Sequence, residues 1–174
     1  MHDAVGLRPI LIDDLPILRT WRNHASVRAM MFSQHQLAEE EHRAWYLRVC
    51  QDPTRQLLLA EDATGPFGFV QFADVAPGGV ADWGFYIRPG AIRGSGTRLC
   101  SAALEHAFSA LDLHKVCGQV IVGNSASVAL HHKLGFAEEG VLRDQKFING
   151  GYLSLVCFGM LKPEWIVMRN RRPV

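Results

Sequence analysis

Two glycines, Gly94 and Gly96, stand inside the stretch IRGSGTRL (92–99), where a strand-like run ending in Pro89 hands over to a helical run continuing through SAALEHAF. No other feature restricts the fold as much. A strand that enters a glycine-rich turn and then a helix leaves backbone N–H groups unpaired at the positive end of the helix dipole, and without a Cβ an anion can come close. The same glycines also suit a tight turn that binds nothing. Residues elsewhere must decide.

Three familiar phosphate loops fail on the residues present. A Walker loop needs GxxxxGK[ST], which is absent; a dinucleotide fingerprint needs a third glycine where Leu99 stands; a kinase loop needs HRD and DFG partners. The surrounding elements point to a different frame. GLRPILI reads as a strand, and the Asp13-Asp14-Leu15-Pro16 run supplies an N-cap and early proline for a helix bearing Leu15, Leu18 and Trp21. AEEEHRAWYLRVC reads as a second helix with an acidic first turn and with Trp45 and Val49 on one face. The runs QLLLAE, GFVQFADV and ADWGFYIRP, separated by ATGP and APGG, predict an antiparallel meander.

After the glycine turn, Leu99, Ala103, Leu104, Ala107 and Phe108 have helical spacing. VCGQVIVG is a buried strand, NSASVALHHKLG a capped helix ending at Gly135, and FAEEGVLRDQKFI with YLSLVCFGML a hairpin around NGG. No repeat or linker divides the 174 residues. The expected fold is α/β (α+β): one domain over 1–166 with a single mixed, mostly antiparallel sheet flanked by helices, then a basic tail at 167–174.

A formal net charge of +1 supplies no field to gather a polyanion, so nucleic acid is not an expected partner, and MRNRRPV reads as a frayed end. Cys50, Cys100, Cys117 and Cys157 lack CxxC spacing and lie in apolar runs, which predicts buried thiols in a reducing compartment. His35, Glu39 and His42 would share a face only if one helix covered them, so no metal is expected. Asp13 and Asp14 interrupt what would be a signal core, and no run approaches the ~20 apolar residues of a membrane span, so a cytoplasmic protein without membrane contact is expected.

Over nearly its whole length the chain resembles the GNAT family of N-acetyltransferases. The family's [Q/R]xxGxG loop is matched by AIRGSG, with Ala91 at the first position and Arg93 two places later. Its NxxSxxLYEKxGF helix is matched by NSASVALHHKLGF at Asn124, Leu130, Lys133, Gly135 and Phe136. The resemblance implies a domain that binds acetyl-CoA, with the pyrophosphate wrapped by Arg93, Gly94, Ser95, Gly96, Thr97 and Arg98. Asn124, His131 and Lys133 would lie along the same cofactor. The backbone around Tyr86, Ile87 and Arg88 would hold the pantetheine and the thioester oxygen, an oxyanion role. His131 stands where the family has the tyrosine that protonates the CoA sulfur; it either donates that proton or only contacts the pantetheine.

WRNHASVRAMMF, followed by EEEH and an aromatic residue, is similar to the acetyltransferases acting on UDP-linked 4-amino-4,6-dideoxy sugars in pseudaminic acid biosynthesis. That likeness implies a UDP-amino-sugar acceptor held by Trp21, Arg22, Asn23 and His24, with Glu41 and His42 beside them. The same residues also fit a helix end packed by Trp21 and capped by Asn23. Direct attack of a neutral amine in a ternary complex is the implied chemistry, with Asp82, Glu41 and His42 as candidate bases. Acetylation of a protein N-terminus, or a CoA-binding module without turnover, are the alternatives. The resemblance also leaves room for a homodimer.

Overall fold

The computed structural model describes residues 4–171. Seven strands form one sheet in the order β1-β2-β3-β4-β5-β7-β6, namely β1 (Gly6–Pro9), β2 (Gln56–Asp62), β3 (Gly65–Ala73), β4 (Val80–Ile87), β5 (Lys115–Ile121), β6 (Ala137–Ile148) and β7 (Gly151–Leu161). The first four strands are the antiparallel meander that the turn signals predict. The closing hairpin turns at Asn149 and Gly150, both at positive φ, as a two-residue primed turn requires.

Helices cover both faces because the central strands are apolar on both. Along β2, Leu58 and Ala60 enter one core while Leu57 and Leu59 enter the other. The larger core lies under α4 (Ser95–Glu105) and α5 (Ser125–Leu134), where Leu99, Ala103 and Leu104 are fully buried. The smaller core lies under α1 (Leu15–Asn23) and α3 (Glu39–Val49), built from Leu15, Leu18, Trp21, Val49 and Phe69. The short α2 (Ala25–Arg28) sits in the connection between them.

Several expectations need correcting. Asp14 does not cap α1 with its side chain; its carboxylate accepts from the Leu11 amide at 2.7 Å and from Arg8, whose guanidinium holds that carboxyl below the usual range. Residues 167–171 are not a tail. They continue α6 (Lys162–Arg171), where Arg169 pairs with Glu105 and Trp165 is buried; residues 172–174 of the expected tail lie outside the described region. Of the four thiols only Cys100 is buried, while Cys50 follows the last turn of α3 and is exposed. No helix among the described residues is long and apolar enough to cross a membrane.

The feature that positions the site is a failure of pairing. Strands β4 and β5 run parallel only over Val80–Asp82 and Lys115–Cys117 and then part. Gly118 lies at the fork, because a Cβ there would stand 2.7 Å from Trp83 Nε1 and 2.8 Å from His131 Nε2. β5 instead continues against β7, and β4 against β3.

Candidate active site

The parting of β4 and β5 opens a cavity of about 990 Å³ that runs through the sheet from the α4–α5 face to the α1–α3 face. The Arg88 amide donates to Phe67 O at 2.8 Å, so by antiparallel alternation Tyr86 also faces β3, and Phe85 and Ile87 turn their N–H groups into the opening. The expected donor stretch therefore borders the opening, with the register of its free amides shifted by one residue. Of the three expected donors only the Ile87 amide faces the opening, joined there by that of Phe85, and all four residues from Phe85 to Arg88 line the cavity.

At the glycine turn, Gly94 is left-handed (φ 95°) and caps α4 without any side-chain hydrogen bond. The Ser95 amide is taken by Ile92 O and the Arg98 amide by Gly94 O, leaving the Gly96 and Thr97 amides at the helix start as donors for a ligand. A Cβ on Gly96 would meet only Leu130 Cδ2, at 3.4 Å, so the approach is kept open by the absent side chain. Such a cradle fits a pyrophosphate, with Arg93 exposed beside it. The other expected contacts are spoken for. Arg98 pairs with Asp62 at 2.9 Å and lies over the Phe67 ring, Ser95 is buried, and Lys133 donates to Thr97 Oγ1 at 3.2 Å. Asn124 caps α5 by accepting from the Ser127 amide while also bordering the cavity.

His131 is not placed to act as an acid. A carbonyl oxygen can only accept and an indole N–H can only donate, so the contacts of Nδ1 with Ser127 O (2.8 Å) and of Trp83 Nε1 with Nε2 (3.2 Å) require the neutral Nδ1–H tautomer. Burial pushes its pKa below 6.5 as well, and Phe158 and Phe136 enclose the ring at 4.7 and 5.0 Å. Protonating Nε2 would break the Trp83 hydrogen bond inside an aromatic shell. The ring is a packing and polar anchor for the fork.

On the other face the four residues of WRNH separate. Trp21 is core, Asn23 binds both the Leu37 amide and the Leu37 carbonyl, and exposed His24 caps α2 by accepting from Ser26 N. None of those three borders the cavity, whereas Arg22 does. Its Nη2 donates to Ser33 O, and its buried Nη1 has no hydrogen-bond partner among the described residues. Glu41 reaches the cavity but is held by His35 at 2.8 Å. His35 precedes α3, so it shares no helix face with Glu39 and His42, and among the described residues no group of three or more His, Cys, Asp or Glu could hold a metal ion.

Sequence reasoning missed much of the wall. Phe85, Trp83, Gln119 and Ser127 line the α5 side, and Met30, Phe32, Trp45 and Arg48 line the α1–α3 side. The alternation in ADWGFYI marks Trp83 and Phe85 as one face of a strand, but nothing local says that this face borders an opening. Among the described lining residues one carboxylate, Glu41, stands against the guanidinium groups of Arg22, Arg48 and Arg88.

Comparison with known proteins bears on this arrangement. Residues 5–137 match the family model described as "Acetyltransferase (GNAT) domain". A spermidine N(1)-acetyltransferase of Vibrio cholerae is 26% identical over 169 residues, covering 95% of this chain and 98% of that protein. A phosphinothricin N-acetyltransferase of Streptomyces coelicolor is 30% identical over 148 residues, covering 80% of this chain and 86% of that protein. The crystal structure of spermidine N-acetyltransferase from Vibrio cholerae in complex with CoA and spermine superposes with a TM-score of 0.85 at 26% identity, covering 93% of this chain and 98% of that one. None of the three is named for a nucleotide sugar, so the expected likeness to sugar acetyltransferases gains no support from them.

Proposed function

From the premise that this chain belongs to the GNAT acetyltransferase family, and is an acetyl-CoA-dependent N-acetyltransferase, we propose that its acceptor is an amine that also carries an anionic group. The observation behind this reading is the acceptor end of the cavity. There Arg22 keeps a buried, unpartnered Nη1, Arg48 stands nearby, and the one carboxylate is already bound by His35. A guanidinium presents a fork of donors matched to carboxylate or phosphate, and a desolvated one without a partner calls for an anion. A UDP-linked amino sugar and an α-amino acid analogue both meet that description, the second in keeping with the phosphinothricin relative.

The chain's own residues then have separate tasks. The amides of Gly96 and Thr97 hold the cofactor's phosphates, and the amides of Phe85 and Ile87 at the fork hold the pantetheine arm and stabilise charge on the thioester oxygen. Met30, Phe32 and Trp45 exclude water from the acceptor. Acetyl-CoA, when bound, supplies the thioester that the amine attacks.

A second reading is a polyamine acceptor, favoured by spermidine acetyltransferases that span nearly the whole chain. It meets a physical objection, since a polycation needs carboxylates and this wall offers guanidinium groups. Thiol release measured with acetyl-CoA and a panel of UDP-amino sugars, phosphinothricin-like amino acids and spermidine separates the two. The anion-bearing amines should show the higher kcat/KM. Spermidine as the best acceptor would overturn the proposal.

A further inference from the structure

His42 is 5% exposed, yet it borders the acceptor end of the cavity. Its Nδ1 is buried and has no hydrogen-bond partner among the described residues. One face of the ring is held by stacking. Trp45 stacks on it with centroids 5.3 Å apart and planes 8° from parallel, and Trp45 is in turn braced edge-on by Phe69. Leu15, whose backbone favours the charged ring, lines a smaller cleft together with Arg19, Arg43 and His42. In the Nε2–H tautomer, the Nδ1 lone pair has no protein partner among the described residues.

The other candidate bases are withdrawn from the reacting amine. Asp82 lies in the paired part of β4, opposite Cys117, and does not line the cavity; Glu41 is bound by His35; His131 has both nitrogens committed. We propose that His42, through Nδ1, is the general base that takes the proton from the acceptor ammonium. The inference rests on transfer to an amine and holds for either acceptor class above.

The step balances without another reactant. An N–H bond of the ammonium breaks as an N–H bond forms at His42 Nδ1, and the freed lone pair attacks the thioester carbonyl carbon. The C–S bond then breaks, the sulfur takes the second proton shed as the amide forms, and the imidazolium returns its proton to water. The surroundings suit the task. Charged groups around the ring are Arg19 and Arg22 from α1 and Glu39, Glu41 and Arg43 from its own helix, while the Phe69 ring of β3 packs on Trp45 and the Tyr86 ring of β4 on Phe69. Burial first, and then the charges of Arg19 and Arg22, hold the imidazole below 6.5, so it is neutral and ready to accept a proton at neutral pH.

The test uses whichever amine of the panel turns over best, so a spermidine result rejects the anionic-acceptor reading and leaves this one standing. His42→Gln keeps a polar side chain and His42→Phe keeps a stacked ring, and neither can take the proton. Both should lower kcat/KM about 100-fold and lack the acid limb expected of the parent below pH 6.5, with acetyl-CoA affinity and melting temperature near parental. A parental rate and acid limb in either folded variant overturns the proposal. Nitrogen-correlated NMR of the parent's histidines needs no variant: a protonated Nε2 with a bare Nδ1 is expected for His42, and a bare Nε2 with a protonated Nδ1 overturns it.

Discussion

The two faces of the sheet are built on different terms. Under α4 and α5 the helices press directly on the strands, as where a Cβ on Gly68 would meet Leu99 Cδ2 at 2.9 Å, and the ligand is offered mostly backbone. Under α1 and α3 the core is smaller, and the cavity wall is side chains, many on the connection between those helices. On the proposal above, the α4–α5 face holds an invariant molecule with amides that any sequence of the right shape supplies. The opposite face lines the cavity with Arg22, His42 and Trp45, side chains that substitution can retune without moving the sheet.

The sharpest way to break this contrast is to close the fork that both faces share. Gly118→Val should drive a branched side chain into Trp83 and His131, costing about 3 kcal/mol from overpacking and the lost hydrogen bond. A fall in melting temperature of about 10 °C, with loss of binding to both substrates, is the expected result. An unchanged melting curve would mean that the fork is looser than its contacts indicate.

Paired substitutions sharpen the contrast next. Gly96→Val should weaken acetyl-CoA binding about 100-fold or more by displacing phosphate from the helix amides, with little effect on stability because only Leu130 is near. Arg22→Ala should raise the acceptor KM about 10- to 100-fold, the value of a charge-assisted hydrogen bond, and leave the acetyl-CoA KM alone. Calorimetry for the cofactor and initial rates for the acceptor read the two. A common loss for both substrates in either variant would erase the division between the faces.

The smallest effect on turnover is expected at His131. His131→Phe should leave kcat within about twofold and the pH–rate profile unchanged, while costing about 1–3 kcal/mol of stability through the stranded Trp83 N–H. Its pKa is depressed in the fold, so the unfolded chain binds the extra proton and stability falls as pH drops below 6.5. Melting between about pH 7.5 and about pH 5.5 should therefore be flatter in His131→Phe than in the parent. A kcat loss of about 100-fold with a vanished alkaline limb would restore His131 as the acid.

By itself the sequence determined what short-range chemistry controls. Turn residues and period-two apolar runs marked the meander and the hairpin, Asn124 and Gly135 bounded a helix, and Gly94 and Gly96 marked the turn that opens α4, because φ preference, capping and alternation act within a few residues. Only the tertiary structure decided where β4 and β5 part, that Phe85 and Ile87 rather than Tyr86 and Arg88 aim amides into the gap, and that α6 runs through the expected tail. Likewise WRNH divided into Trp21 as core, Asn23 as a clasp on Leu37, His24 as a cap and Arg22 as cavity wall. Which atoms of a histidine or arginine are left without a partner depends on Ser127 and Trp83, or Leu15 and Ser33, brought there by packing, and no local pattern encodes that choice.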